Sequence, residues 1–146
     1  MPPSTVQVAK TMKVMRLSFL GAACMFVYAA FTIPSRNTAR PTSSMVLGIS
    51  VIALACVALG FLAPALLVPP TRRGANNVQP NAAGQWFTRG ILSLAFFNAC
   101  SLFAFALHFL GANQQIVLTL FGMGILSILL WRPGAPPVDE VSLSQS

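Results

Sequence analysis

The polar residues that could do chemistry inside the apolar part of this sequence lie close together. Asn98, Ser101 and His108 all occur in the otherwise apolar segment 91–111. At about 100° per residue, an α-helix places Ser101 and His108 within about 80° of Asn98, on one face. A polar face on a membrane helix turns toward protein or a water-filled path rather than lipid. We therefore take these three side chains as the candidate site.

The spacing and residue types limit what this polar stripe can do. Asn98 and His108 are separated by about 15 Å along a helix axis, too far to bind one metal ion together. The chain has one histidine, and both of its acidic residues, Asp139 and Glu140, lie near the C-terminus. There is no G-x-S-x-G, glycine-rich phosphate loop or H-E-x-x-H motif. We predict a protein that is not an enzyme and that has no metal site.

His108 has two interpretations. A neutral imidazole is a common axial ligand of haem or chlorophyll, and one histidine per chain would serve a chlorophyll. Alternatively, His108 hydrogen-bonds another helix or water near the membrane boundary. The second interpretation is favoured, because nothing else in the sequence points to a cofactor.

The elements that must position the stripe follow from composition. The chain of 146 residues is 55% hydrophobic and 8% charged, whereas soluble domains carry about 25% charged residues. Four apolar segments, at 17–33, 45–68, 91–111 and 114–131, contain no Asp, Glu, Lys or Arg. Such continuous runs favour helices of about 20 residues over a β-barrel. We predict an all-α integral membrane four-helix bundle in which residues 1–146 form one membrane domain.

The basic residues predict the orientation of these helices. Seven of the nine Lys and Arg residues lie in the tails 1–16 and 132–146 and the loop 69–90, and two lie in the first loop. Because cytoplasmic segments are enriched in Lys and Arg, both termini are predicted to be cytoplasmic, in a bacterial-type inner membrane. The net charge of +7 is then a sign of topology, and no nucleic-acid partner is expected.

Smaller features complete the prediction. Arg72 and Arg73 in the loop 69–90 are candidates for binding anionic lipid headgroups, at about 1 kcal/mol each, although enforcing topology is a sufficient role for them.

The three cysteines each lie inside an apolar segment and are expected to pack as small hydrophobic side chains. Small residues on three segments are expected to mediate helix packing: Ser18, Gly21 and Ala22; Ala53, Cys56 and Gly60; and Gly122, Gly124 and Ser127.

The third segment also resembles a known family. Its run Ser101-Leu102-Phe103-Ala104, with the preceding residues 94–100, is similar to the ion-carrying helix of rotary ATPase proteolipid (c-type) subunits. In that family a carboxylate precedes a small–Leu–aromatic–small run, and Asn98 occupies its place here. Because an amide cannot take up and release a proton, the resemblance implies a proteolipid-like scaffold that does not transport ions.

Three functions remain open at this point. The favoured one is a non-catalytic small subunit or accessory protein of a larger integral membrane complex, with a structural or assembly role. Its partners would be the lipid bilayer and other membrane subunits. The first alternative is a small oligomeric transporter or channel whose pathway is lined by Asn98, Ser101 and His108. The second is a pigment- or haem-binding subunit that uses His108 as a ligand.

Overall fold

A computed structural model describes residues 5–34, 41–67 and 82–134, and these residues form helices without any strand. The four helices are α1 (Thr5–Thr32), α2 (Ser43–Leu67), α3 (Ala82–Phe109) and α4 (Gln114–Leu130). The predicted all-α architecture with four helices is confirmed.

Three of these helices are long and apolar enough to cross a membrane. The candidate spans are Ala9–Thr32, Ser43–Leu62 and Gly84–Phe109, and α4 is a shorter apolar helix of 17 residues. At 1.5 Å per residue, α4 is about 25 Å long, slightly less than the roughly 30 Å of a bilayer core. The helices identify the chain as a membrane protein.

Helix α3 is the centre of the bundle. It packs against α1, α2 and α4, and α4 also contacts α1 and α2, whereas the described parts of α1 and α2 do not meet. In cross-section, α3 and α4 form the short diagonal of a rhombus, with α1 and α2 at its distant corners. Each of the two outer helices therefore leaves a broad face uncovered by the described residues.

Two helices start earlier than the predicted spans. Helix α1 begins at Thr5, although residues 1–16 were assigned to a tail, and α3 begins at Ala82, inside the predicted loop 69–90. The additional turns pack against each other, because Met12 is buried against Gly90 and Trp131 lies beside both. This contact explains why the helices extend beyond the apolar segments that the sequence marks.

The turn between α3 and α4 follows local rules. Gly111 has a φ of 77°, a conformation that glycine adopts without steric cost. Its N–H donates to His108 O, and the N–H of Ala112 donates to Leu107 O, both at 3.0 Å, which is the Schellman pattern of a helix C-terminus. Asn113 then caps α4, because its side chain accepts from the Gln115 N–H at 3.0 Å. Helix α4 then begins at Gln114.

The core has two layers along the bundle axis. The layer at the α3–α4 turn is built around Ala53, Cys100, Ala104, Leu107 and Phe121. The layer at the opposite end is built around Met12, Ala23, Leu94, Phe97 and Ile128, with Trp86 and Trp131 packed on it. The two tryptophans therefore lie at the same end of the bundle.

Candidate functional site: the polar stripe of α3

Ser101 lies where α3 and α4 approach each other closely. Its side chain is fully buried, and a Cβ atom added to Gly124 would lie 2.5 Å from Ser101 Oγ and 3.2 Å from the backbone oxygen of Phe97. Since only glycine permits this approach, the serine hydroxyl occupies space that a side chain on α4 would otherwise fill. Ser101 is therefore a packing residue of the α3–α4 interface.

Asn98 is half-buried, and its Oδ1 atom is buried without a hydrogen-bond partner in the described structure. The same is true of the hydroxyl oxygens of Ser93 and Ser101. Serine in a helix commonly satisfies itself through the carbonyl four residues earlier, but an asparagine carbonyl oxygen can only accept. The Oδ1 atom of Asn98 is therefore a buried hydrogen-bond acceptor that no described residue satisfies.

His108 connects α3 to the end of α1. Its Nε2 lies 3.2 Å from the backbone oxygen of Ile33, so the imidazole N–H donates and the carbonyl accepts. The last carbonyls of a helix have no partner within the helix, and His108 satisfies one at the C-terminus of α1. The imidazole also packs against the edge of Phe109, with 5.5 Å between ring centroids.

The cavity beside His108 within the described bundle is small. The adjacent cavity, lined in part by Ala30, Val117 and Phe121, has a volume of about 20 Å³. This is room for about one water molecule, whereas ligand pockets occupy roughly 300–1,000 Å³. In addition, Nε2 already faces a carbonyl oxygen. In this structure the imidazole caps the end of α1, and ligation of a haem or chlorophyll by His108 stays a prediction.

The three stripe residues thus occupy three different environments. Ser101 packs against α4, Asn98 holds a buried acceptor, and His108 caps α1. The cavity beside His108 is lined by neither Asn98 nor Ser101. A pathway that joins these three side chains stays a prediction.

Arg16 is a structural residue that the sequence analysis did not single out beyond its charge. From α1, its Nε donates to Ile128 O at 3.0 Å and its Nη2 donates to Leu129 O. The guanidinium thereby satisfies two terminal carbonyls of α4 and places a positive charge at the negative end of the helix dipole. His108 and Arg16 perform related tasks at opposite ends of the bundle.

Replacing Arg16 with methionine should lower the free energy of unfolding by about 1–2 kcal/mol, because two charge-assisted hydrogen bonds to helix carbonyls are lost. Lys13→Met is the matched control, since exposed Lys13 lies one turn away and carries the same charge. Both variants remove one positive charge from the same end, so their effects on membrane orientation are equal. Detergent unfolding curves that coincide for the two variants would contradict the capping role.

The small residues divide between inner and outer faces. Ala53, Gly60, Gly124 and Ser127 are buried, as expected for packing. Cys100 is also buried, and its Sγ donates to Leu120 O at 3.4 Å. In contrast, Ser18 and Gly21 of the expected α1 stripe are exposed and do not pack inside the described bundle. The residues of α1 that pack inside the bundle are Ala23 and Ala30.

The predicted headgroup ligands Arg72 and Arg73 lie outside the described residues, and their role stays a prediction. Among the residues that the structure does describe, no group of three His, Cys, Asp or Glu side chains could hold a metal ion. No family model, curated protein or solved structure has significant similarity to this chain. The resemblance of α3 to proteolipid subunits therefore stays a prediction as well.

Proposed function

We propose that this protein is a non-catalytic accessory subunit of a larger integral membrane complex, with both termini in the cytoplasm. The observation that supports this role is an outward-facing patch on α1 that contains Ser18 and Gly21. Both residues are exposed in the described structure, and a Cβ atom added to Gly21 would meet nothing within 4 Å. The described part of the chain therefore gives no packing reason for a glycine at this position.

The chemistry of the patch fits contact with another membrane helix. A glycine within a helix costs about 1 kcal/mol relative to alanine, and small residues in membranes permit close helix approach. Ser18 Oγ donates to Val14 O at 3.0 Å, so its hydroxyl is compatible with an apolar neighbour. Large side chains flank the small ones, including Leu17, which is 70% exposed, and Met25 and Tyr28. The small side chains thus form a shallow depression on the helix surface, and the large side chains form its border.

The cytoplasmic orientation is supported by charge. In the described structure, Lys10 and Lys13 on α1 lie at the same end of the bundle as Arg89 on α3 and Arg132 after α4. The contacts of Arg16 with the last carbonyls of α4 show that these helix ends meet. A concentration of positive charge at one end is typical of the cytoplasmic side.

A substitution on the patch tests the proposal. Gly21→Leu should reduce co-purification of partner subunits, after gentle solubilisation, by about tenfold, equivalent to about 1.4 kcal/mol, because the added side chain prevents helix approach. Gly84→Leu is the control, since Gly84 is also exposed and an added Cβ there meets nothing within 4 Å. The proposal fails if the wild-type protein migrates only as a monomer or small homo-oligomer, or if both variants retain partners equally.

A further inference from the structure

The lysine and arginine side chains of the described structure lie at one end of the bundle. They are Lys10, Lys13, Arg16, Arg89 and Arg132. The described residues include no Asp or Glu, because the two acidic residues of the chain lie at positions 139 and 140. No carboxylate of a described residue therefore neutralises these positive charges. Uncompensated charge of one sign attracts ligands of the opposite sign.

Contacts among three helices bring exposed basic residues together. A Cβ atom added to Gly90 of α3 would meet the Met12 side chain of α1 and the Trp131 ring that follows α4. Lys13 follows Met12 in the chain, and Arg132 follows Trp131. The side chains of Lys13 and Arg132, both exposed, therefore extend from neighbouring backbone segments.

Helical geometry adds Lys10 to this surface. Lys10 and Lys13 are about 60° apart around α1, and both are exposed. Arg16 lies about 60° beyond Lys13, but it already donates to two carbonyls of α4 and so fixes α1 beside the end of α4. The exposed groups that remain for a ligand are Lys10, Lys13 and Arg132, which we call the basic cluster.

Exposed apolar side chains lie next to the basic cluster, on the side toward the middle of the bundle. Leu17 is one turn after Lys13, about 40° away around α1, and Leu130 precedes Arg132 by two residues. Leu17 is 70% exposed and Leu130 is 73% exposed. Cations followed by an apolar surface match an amphiphile with an anionic head and an acyl chain. A soluble anion or an acidic peptide would use the charges but not the leucines.

The two tryptophans place the basic cluster at the depth of the lipid phosphates. Trp86 and Trp131 pack on the core layer at this end of the bundle, and Trp86 Nε1 donates to Gly134 O at 2.8 Å. Tryptophan rings of membrane proteins are enriched at the level of the headgroups. The positive charges therefore lie where a bilayer presents its phosphates.

We propose that the basic cluster binds the headgroup of an anionic phospholipid, whose acyl chain lies along Leu17 and Leu130. This site is separate from the prediction for Arg72 and Arg73. It requires neither a partner subunit nor a particular orientation in the membrane, so it is independent of the accessory role.

Quenching of tryptophan fluorescence tests the site in the full chain. The sequence has two tryptophans, and both lie beside the basic cluster. The protein is reconstituted in phosphatidylcholine vesicles that contain an equal fraction of either brominated phosphatidylglycerol or brominated phosphatidylcholine, since bromine quenches a nearby indole. The anionic lipid should bind about tenfold more strongly, equivalent to about 1.4 kcal/mol, and so quench more. Equal quenching by the two lipids would overturn the proposal.

Substitutions separate a site from a general effect of charge. Lys13→Gln should reduce the preference for the anionic lipid about fivefold, the factor equivalent to about 1 kcal/mol, whereas Lys13→Arg should retain it. Arg40→Gln is the matched control, because it removes the same charge directly before Pro41, which lies beside the α3–α4 turn at the opposite end. Equal reductions by Lys13→Gln and Arg40→Gln would show attraction by net charge alone and overturn the proposal.

Two other anions are excluded in the same measurement. Asp139→Asn combined with Glu140→Gln should leave the preference unchanged. A stronger preference in this double variant would mean that the acidic tail occupies the basic cluster in the wild-type protein, against the proposal. Inorganic phosphate, at constant ionic strength, should not weaken the quenching, because it lacks an acyl chain. Displacement of the lipid by phosphate would instead assign the cluster to a free anion.

Discussion

Gly124→Ala should lower the free energy of unfolding by about 1–3 kcal/mol, the usual cost of overpacking a core, while Gly122→Ala should raise it by about 0.5–1 kcal/mol, because alanine is the better helix former where nothing obstructs its side chain. The two glycines are two positions apart on α4. An added Cβ at Gly124 would lie 2.5 Å from Ser101 Oγ and 3.3 Å from the Ser101 nitrogen, whereas at Gly122 it would meet nothing within 4 Å. Backbone atoms cannot move aside as a flexible side chain does.

The comparison can be made by detergent unfolding followed through tryptophan fluorescence, because Trp86 and Trp131 both pack on the far core layer. Adding Ser101→Ala should recover part of the loss, since it removes the nearest atom but leaves the backbone contacts of Phe97 and Ser101. A double-mutant cycle measures this coupling. Equal destabilisation by the two glycine variants would mean that α3 and α4 do not approach closely at Gly124.

Phe97→Ala should destabilise the bundle by about 2 kcal/mol. The Phe97 side chain is 0% exposed, covers Gly60 of α2, and packs at 4.8 Å between ring centroids against Phe61. Lipid solvates a phenyl ring as readily as a core does, so little of the cost comes from transfer to water. Most of the cost comes from the cavity that the missing ring leaves. At about 24 cal/mol per Å³, a cavity of roughly 100 Å³ costs about 2 kcal/mol.

Phe96→Ala is the control for this prediction. Phe96 is the adjacent residue on α3 and is only partly buried, outside both core layers. Its removal should cost less than half as much, in the same unfolding measurement. Because the Phe97 ring occupies the space above Gly60, combining Phe97→Ala with Gly60→Leu should restore part of the lost stability. An unchanged or larger loss in the double variant would argue against direct packing between these two positions.

Much of the local structure can be predicted from sequence in this protein. The number of helices and the position of the α3–α4 turn follow from segment length, from Gly111 and from the Asn113 cap. These features depend on neighbouring residues along the chain. The start of α3 at Ala82 could not be predicted in this way, since the turns before its apolar segment pack through Gly90 against Met12 of α1, far away in the chain.

In the candidate site, too, some features can be predicted from the sequence and others are visible only in the structure. Helical periodicity correctly places Asn98, Ser101 and His108 on α3, but it does not reveal that Ser101 meets Gly124 or that His108 reaches Ile33. Arg16 was counted only as a topological charge, although it caps α4. These roles depend on residues far away in the chain, and no local pattern marks them.

The sequence by itself determines that this chain forms apolar helices, because a backbone in lipid must satisfy its polar groups internally and a bilayer requires a minimum apolar length. Only the tertiary structure decides which side of each helix faces inward. In a soluble protein, hydrophobicity marks the buried face, but lipid and protein interiors are both apolar, so the outer and inner faces look alike. Gly21 faces outward and Gly124 faces inward. This difference depends on how each helix is rotated about its own axis, and the rotation is set by packing against the neighbouring helices.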